Sequence, residues 1–157
     1  MKVIVVAALA IGLFTVGCDS NSKPSSTSPR STVARVTVAR PDCTTPSSRG
    51  AAANEIRGRA TRGELWALVF GSLPLRTGEP TKFVWRMTGR GALHVALTAP
   101  DGSARRLLWG PIAHTAGSTF HRPGDEWGTG VRFDAAGCWR IHLARADTTG
   151  DVLVVVA

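Results

Sequence analysis

Acidic groups are scarce in this chain. Its 157 residues carry 11 Asp and Glu against 19 Lys and Arg. The glutamates number only four: Glu55, Glu64, Glu79 and Glu126. Chemistry that needs a pair of carboxylates flanking one bond has little to draw on, and nothing in the spacing points to such a pair. HExxH is absent, as are a nucleophile elbow and a glycine-rich phosphate loop opening a helix. Ser118, His121 and Asp125 can be written in triad order, but a triad is defined by geometry in the fold and not by nearness in sequence. The chain therefore reads as non-catalytic, with no cofactor. Lysine is rare as well. Lys2, Lys23 and Lys82 are the full set, and arginine supplies the rest of the positive charge. The arginines are scattered, at Arg35, Arg57, Arg59, Arg76, Arg90, Arg105, Arg132 and Arg145 among others, and read as solvated strand faces. No basic stripe marks a nucleic-acid surface. No apolar run reaches the roughly 20 residues of a spanning helix.

The longest apolar run, Val3 to Val16, follows Met1-Lys2 and gives way to Gly17, Cys18 and then polar Asp19-Ser20-Asn21-Ser22. A charged start, a short apolar middle and small residues before a polar stretch make a secretory leader. The layout resembles a bacterial lipoprotein signal peptide over residues 1–17, and Thr15-Val16-Gly17-Cys18 resembles its lipobox, with Thr15 where Leu is commonest. The resemblance implies diacylglycerol on the Cys18 thiol and cleavage before Cys18. The mature protein is then expected on the extracytoplasmic face of the cell membrane, since two acyl chains suffice for stable anchoring. The expected partners are the membrane, through that lipid, and an envelope polymer or protein, not nucleic acid. Losing Lys2 with the leader leaves the chain basic, which favours anionic lipid headgroups or anionic wall polymer.

Residues 18–32 hold the lipidated cysteine and a Ser/Thr/Pro tether without the apolar mass to build a core. A flexible stretch of this length spans about 20 Å. Two cysteines remain, Cys43 and Cys138. In an oxidising compartment an even pair suggests a disulfide, here tying the start of the domain to its penultimate strand. The alternative is two free thiols, one buried beside Trp139.

Residues 33–157 suit one domain in size. They read as all-β, an immunoglobulin-like sandwich of about seven to nine strands. Leu93, Val95 and Leu97 alternate with polar or small neighbours, as do Trp139, Ile141 and Leu143, and period two with one apolar face marks a half-buried strand. Leu65–Phe70 and Phe83–Met87 are dense in strand formers, and Val152–Val156 suits a strand covered on both faces. Thr88-Gly89-Arg90-Gly91 reads as a hairpin connection, Ala99-Pro100-Asp101-Gly102 as a turn, and Asp147-Thr148-Thr149-Gly150 as the link between the last two strands. The nearest helical candidate, Ala51 to Asn54, is short.

Alternation stops between Trp109 and Val131, and residues 109–130 read as one long, self-packed connection. Three readings of it compete. In the first, Arg122 pairs with Asp125 or Glu126 and the tryptophans cover the end of the core. In the second, His114, His121 and a carboxylate, Asp125 or Glu126, hold zinc or copper, to which imidazole and carboxylate are suited. In the third, Trp109 or Trp127 stacks on a sugar or an apolar ligand while Arg122 and Glu126 orient it. His94 and His142 read as solvent-facing. Trp66, Trp85 and Trp139 read as packing.

Lys82-Phe83-Val84-Trp85-Arg86-Met87-Thr88-Gly89, His121-Arg122-Pro123-Gly124-Asp125-Glu126-Trp127-Gly128 and Gly137-Cys138-Trp139-Arg140 resemble a group of uncharacterised secreted or lipid-anchored domains of high-GC Gram-positive bacteria. That resemblance, from Glu55 to Val156, implies a fold and an address but no reaction. The expected function is that of a non-catalytic surface lipoprotein that binds or scaffolds an envelope component. The alternative is a metal- or small-ligand-binding lipoprotein using residues 109–130.

Overall fold

The structure, a computed structural model, describes residues 40–43, 47–50, 54–115 and 117–157. The leader, Cys18, the tether and Ala51–Ala53 lie outside the described residues. The described chain is all-β. Its strands are β1 (Ser48–Arg49), β2 (Glu55–Arg57), β3 (Arg59–Ala60), β4 (Leu65–Phe70), β5 (Pro80–Met87), β6 (His94–Thr98), β7 (Ala104–Arg105), β8 (Trp109–His114), β9 (Asp125–Arg132), β10 (Gly137–Ala144) and β11 (Thr149–Val156). The excess over the expected seven to nine comes from short edge pieces, for β1, β3 and β7 are two residues each.

Two antiparallel sheets form, in the orders β1-β2-β4-β5-β9-β8 and β3-β11-β10-β6-β7. Their inner faces share one core. Alternation along β5 sends Phe83, Trp85 and Met87 inward, and along β10 it sends Trp139, Ile141 and Leu143 inward to meet them. Phe133 bridges the sheets, edge-on to Phe83 at 6.2 Å and to Trp139 at 5.1 Å between centroids. Both buried indoles place their N–H groups: Trp85 Nε1 donates to Thr129 Oγ1 at 2.8 Å and Trp139 Nε1 to the Ala135 carbonyl at 2.9 Å. A buried indole N–H without a partner would cost more than its ring gains from tighter packing.

Cys43 and Cys138 form the disulfide, with Cα atoms 5.6 Å apart across 95 residues of sequence. Because Trp139 points inward, Cys138 faces outward, so the bond lies on the outer side of the second sheet. It ties the segment before β1 to the penultimate strand.

Three sequence expectations need correction. Residues 109–130 are not one loop. Trp109–His114 and Asp125–Arg132 are strands paired from Trp109↔Gly130 to His114↔Glu126, with a bulge near Gly110 and Pro111. Thr88–Gly91 is not a hairpin, because β5 and β6 lie in different sheets. Val152–Val156 is not covered on both faces, for Val155 is 56% exposed. The other two turns behave as read. Asp101 Oδ1 accepts the Ser103 N–H at 2.9 Å between β6 and β7, and β10 and β11 form a hairpin.

Candidate functional site

The outer face of the first sheet carries the unusual chemistry. Strand alternation and register set its side chains in rows across β4, β5, β9 and β8. One row is Trp66, Arg86, Glu126 and His114. The next is Leu68, Val84, Gly128 and Ile112. The third is Phe70, Lys82, Gly130 and Trp109.

The first row is covered. After β8 the chain turns back over it, and Phe120 buries itself against Trp66, Val84 and Leu68, a second apolar cluster outside the main core. The Arg122 guanidinium stacks 4.2 Å above the Trp66 ring centroid and pairs with Glu55. Arg122 therefore does not pair with Asp125 or Glu126, as the first reading held. Gly124 closes the turn at φ +95°, where a Cβ would strike the Met87 carbonyl, so both the backbone sign and the space demand glycine.

Glu126, only 4% exposed, is the hub. Arg86 Nε donates to its Oε2 at 2.9 Å, Ser118 Oγ to Oε2 at 2.5 Å, and His114 Nδ1 meets Oε1 at 2.8 Å. Burial pushes the Glu126 carboxyl up, but hydrogen bonds from Ser118 and His114 and the charge and bond of Arg86 outweigh it. The group ends below its ordinary 4.5. Ser118 and His114 thus both bind the carboxylate instead of each other, so the cluster has no hydroxyl-to-imidazole relay of the kind nucleophilic catalysis uses.

The other candidate residues do not converge. Asp125, the neighbour of Glu126 on a strand, points to the other face, and its Oδ2 accepts from Arg145 Nη2 at 2.6 Å. Trp127 is buried in the main core with the Arg145 guanidinium 4.6 Å from its ring centroid, so it is no ligand platform. His121 is exposed. Among the described residues no three His, Cys, Asp or Glu side chains gather to hold a metal ion. Of the expected site residues the structure thus joins His114 to Glu126, turns Asp125 to the opposite face and buries Trp127 in the main core. His94 is exposed as read, whereas half-buried His142 pairs through Nδ1 with Asp151 Oδ1 at 2.9 Å.

Arg145 is not the solvated surface charge that its place among the scattered arginines suggests. It is buried, donating to the Gly91 carbonyl from Nε and Nη2, to the Met87 carbonyl from Nη1 and to Asp125. The sequence signal was faint: an Arg two residues beyond Leu143 in an otherwise apolar strand pattern.

The third row and Ile112 stay open. Phe70 is 51% exposed, Trp109 41% and Ile112 55%. The Trp109 indole lies in the space a side chain at Gly130 would fill and reaches Gly128, so glycine on β9 is what lets the ring rest on the sheet. Lys82 Nζ sits 4.8 Å over the Phe70 ring. Arg132, the next outward residue on β9, is exposed diagonally from Lys82. Neither cation is in an ion pair among the described residues. A shallow groove of about 210 Å³ runs from Phe70 and Lys82 past Val84 to Ser118 and Glu126.

No protein-family model, curated protein or solved structure matches the chain.

Proposed function

We propose that the chain is a non-catalytic lipoprotein, anchored through Cys18 on the outer side of the cell membrane, whose immunoglobulin-like domain binds a component of the envelope. The strand orders support the immunoglobulin-like assignment. β4-β5-β9-β8 against β11-β10-β6-β7 follows the A-B-E-D and G-F-C-C′ sheets of that sandwich. The disulfide departs from the antibody pattern, because it lies outside the core instead of crossing it.

One observation carries the binding reading: the open row Phe70, Lys82, Gly130 and Trp109. Large apolar side chains grouped on a sheet face, beside unpaired cations, mark an interaction surface. Meanwhile Ser118 Oγ and His114 Nδ1 both bind Glu126 and not each other. The test has two parts. Wild-type chain should fractionate with membranes and Cys18→Ser should not; retention of the variant contradicts the anchor. The soluble full-length Cys18→Ser chain should sediment with isolated envelope fragments, and adding Trp109→Ala should weaken this about tenfold or more. Sedimentation unchanged by Trp109→Ala contradicts the assigned surface.

A further inference from the structure

We infer that the open row binds a sugar polymer carrying negative charge, with a pyranose ring seated on Trp109. The inference rests on the envelope-binding reading and names its ligand class.

Three features select this ligand over others. The first is the posture of Trp109. Its indole lies over the glycine backbone of β9, spanning from Gly130 to Gly128, instead of projecting away from the sheet. One face of a pyranose is lined by C–H bonds and is itself flat and apolar, and such a face stacks on an aromatic ring. A lipid surface selects the opposite posture, side chains that project and sink some 5–10 Å past the headgroups. The second is spacing. Phe70 and Trp109 lie on the same row three strands apart, about 14 Å at the normal strand separation. That is the reach of several linked sugar rings, so a chain laid along the row touches both aromatics. The third is charge. Lys82 lies between the two aromatics and Arg132 beside it, both exposed and both without an acidic partner among the described residues. Carboxylate or phosphate groups along the polymer complete them. Beyond Ile112, His114 turns its Nε2 toward Gly128 while Nδ1 is held by Glu126. It is placed to bond a hydroxyl of the same chain.

The probes are polygalacturonate, neutral dextran, phosphatidylglycerol vesicles, and the glycan fraction of the envelope freed of protein and lipid. Each is titrated into the full-length Cys18→Ser chain. The expected result is binding to polygalacturonate and to the glycan fraction that weakens with salt, and weaker or no binding to dextran and vesicles. Trp109→Ala should lower glycan affinity about tenfold or more, the loss typical of a central aromatic contact. Lys82→Gln combined with Arg132→Gln, both exposed, should lower it about tenfold and remove most of the salt dependence, with urea unfolding confirming that the variant keeps the fold. Binding to vesicles but neither glycan overturns the inference in favour of a lipid surface. Undiminished capture by envelope fragments stripped of glycan overturns it in favour of a protein partner, and leaves the envelope-binding reading standing. No capture by intact envelope fails both.

Discussion

Glu126 and Arg145 are the two residues on which this sandwich most depends outside its apolar core. Both are charged, both are buried, and each is satisfied by groups that no local pattern places beside it. Folding lowers the Glu126 carboxyl below its ordinary 4.5, so the ionised form is the one the fold favours. By linkage, its contribution is fully present above that ordinary value and drains away as pH falls through the lower folded one. Glu126→Gln should cost about 2–3 kcal/mol in urea unfolding at pH 7, because Arg86 keeps its charge and loses its partner. The variant should also show a flatter acid limb than wild type as pH falls below the ordinary 4.5; parallel limbs would contradict the assignment. Arg145→Met should cost about 3 kcal/mol or more, since it strands the Gly91 and Met87 carbonyls and leaves Asp125 without its partner. Arg145→Lys should rescue little, because a single ammonium cannot span two carbonyls and a carboxylate in forked geometry. A Lys variant of wild-type stability would sink this account of the residue.

The β8–β9 hairpin is the element that makes the site, and the one the sequence hid. β8 lies at the sheet edge, and most of its residues are exposed on both faces, so it lacks the one-sided apolar pattern that marks a strand. β9 carries Gly128 and Gly130 where outward side chains would stand, which breaks the pattern a second time. The core strands were legible because each buries one face against the same core. Leu65–Phe70, Phe83–Met87, Leu93–Leu97 and Trp139–Leu143 appear where alternation or apolar density placed them. The Thr88–Gly91 connection misled because a four-residue turn looks the same whether it joins neighbours in one sheet or crosses between two. Two predictions belong to this scale. Gly130→Ala should displace the Trp109 indole, and a shift in tryptophan emission with little loss of stability would report it; an unchanged spectrum would contradict the packing. Phe120→Ala should cost about 3 kcal/mol and expose the 117–124 segment to proteases. Unaltered cleavage there would mean that Phe120 does not hold the segment down.

At the scale of the molecule, the sequence pointed correctly to an all-β domain of two sheets and to the Cys43–Cys138 bond. Period-two alternation and cysteine parity carry that much, because neither depends on knowing which strands are neighbours. The binding surface was only partly legible. Trp109 stood among the stacking candidates, but Trp127 stood beside it, and strand parity alone decides which of the two faces solvent. Phe70, Lys82 and Arg132 were not singled out, since a surface row spread over three strands has no signature along the chain. Reducing the disulfide should lower stability by about 2–4 kcal/mol, read by urea unfolding with and without reductant. No change on reduction would mean that the segment before β1 is held by other contacts.

Five tryptophans supply a direct probe of the proposed surface, because they differ so sharply in exposure. Trp66, Trp85, Trp127 and Trp139 are 9% exposed or less, and Trp109 is 41% exposed. N-bromosuccinimide under native conditions should therefore oxidise Trp109 first, and peptide mass spectrometry can follow that one site. The decisive measurement is its oxidation rate with the protein free and with it bound to envelope fragments. The account predicts a severalfold slower reaction at Trp109 in the bound state; an equal rate with the protein demonstrably bound would show that the envelope is gripped somewhere else.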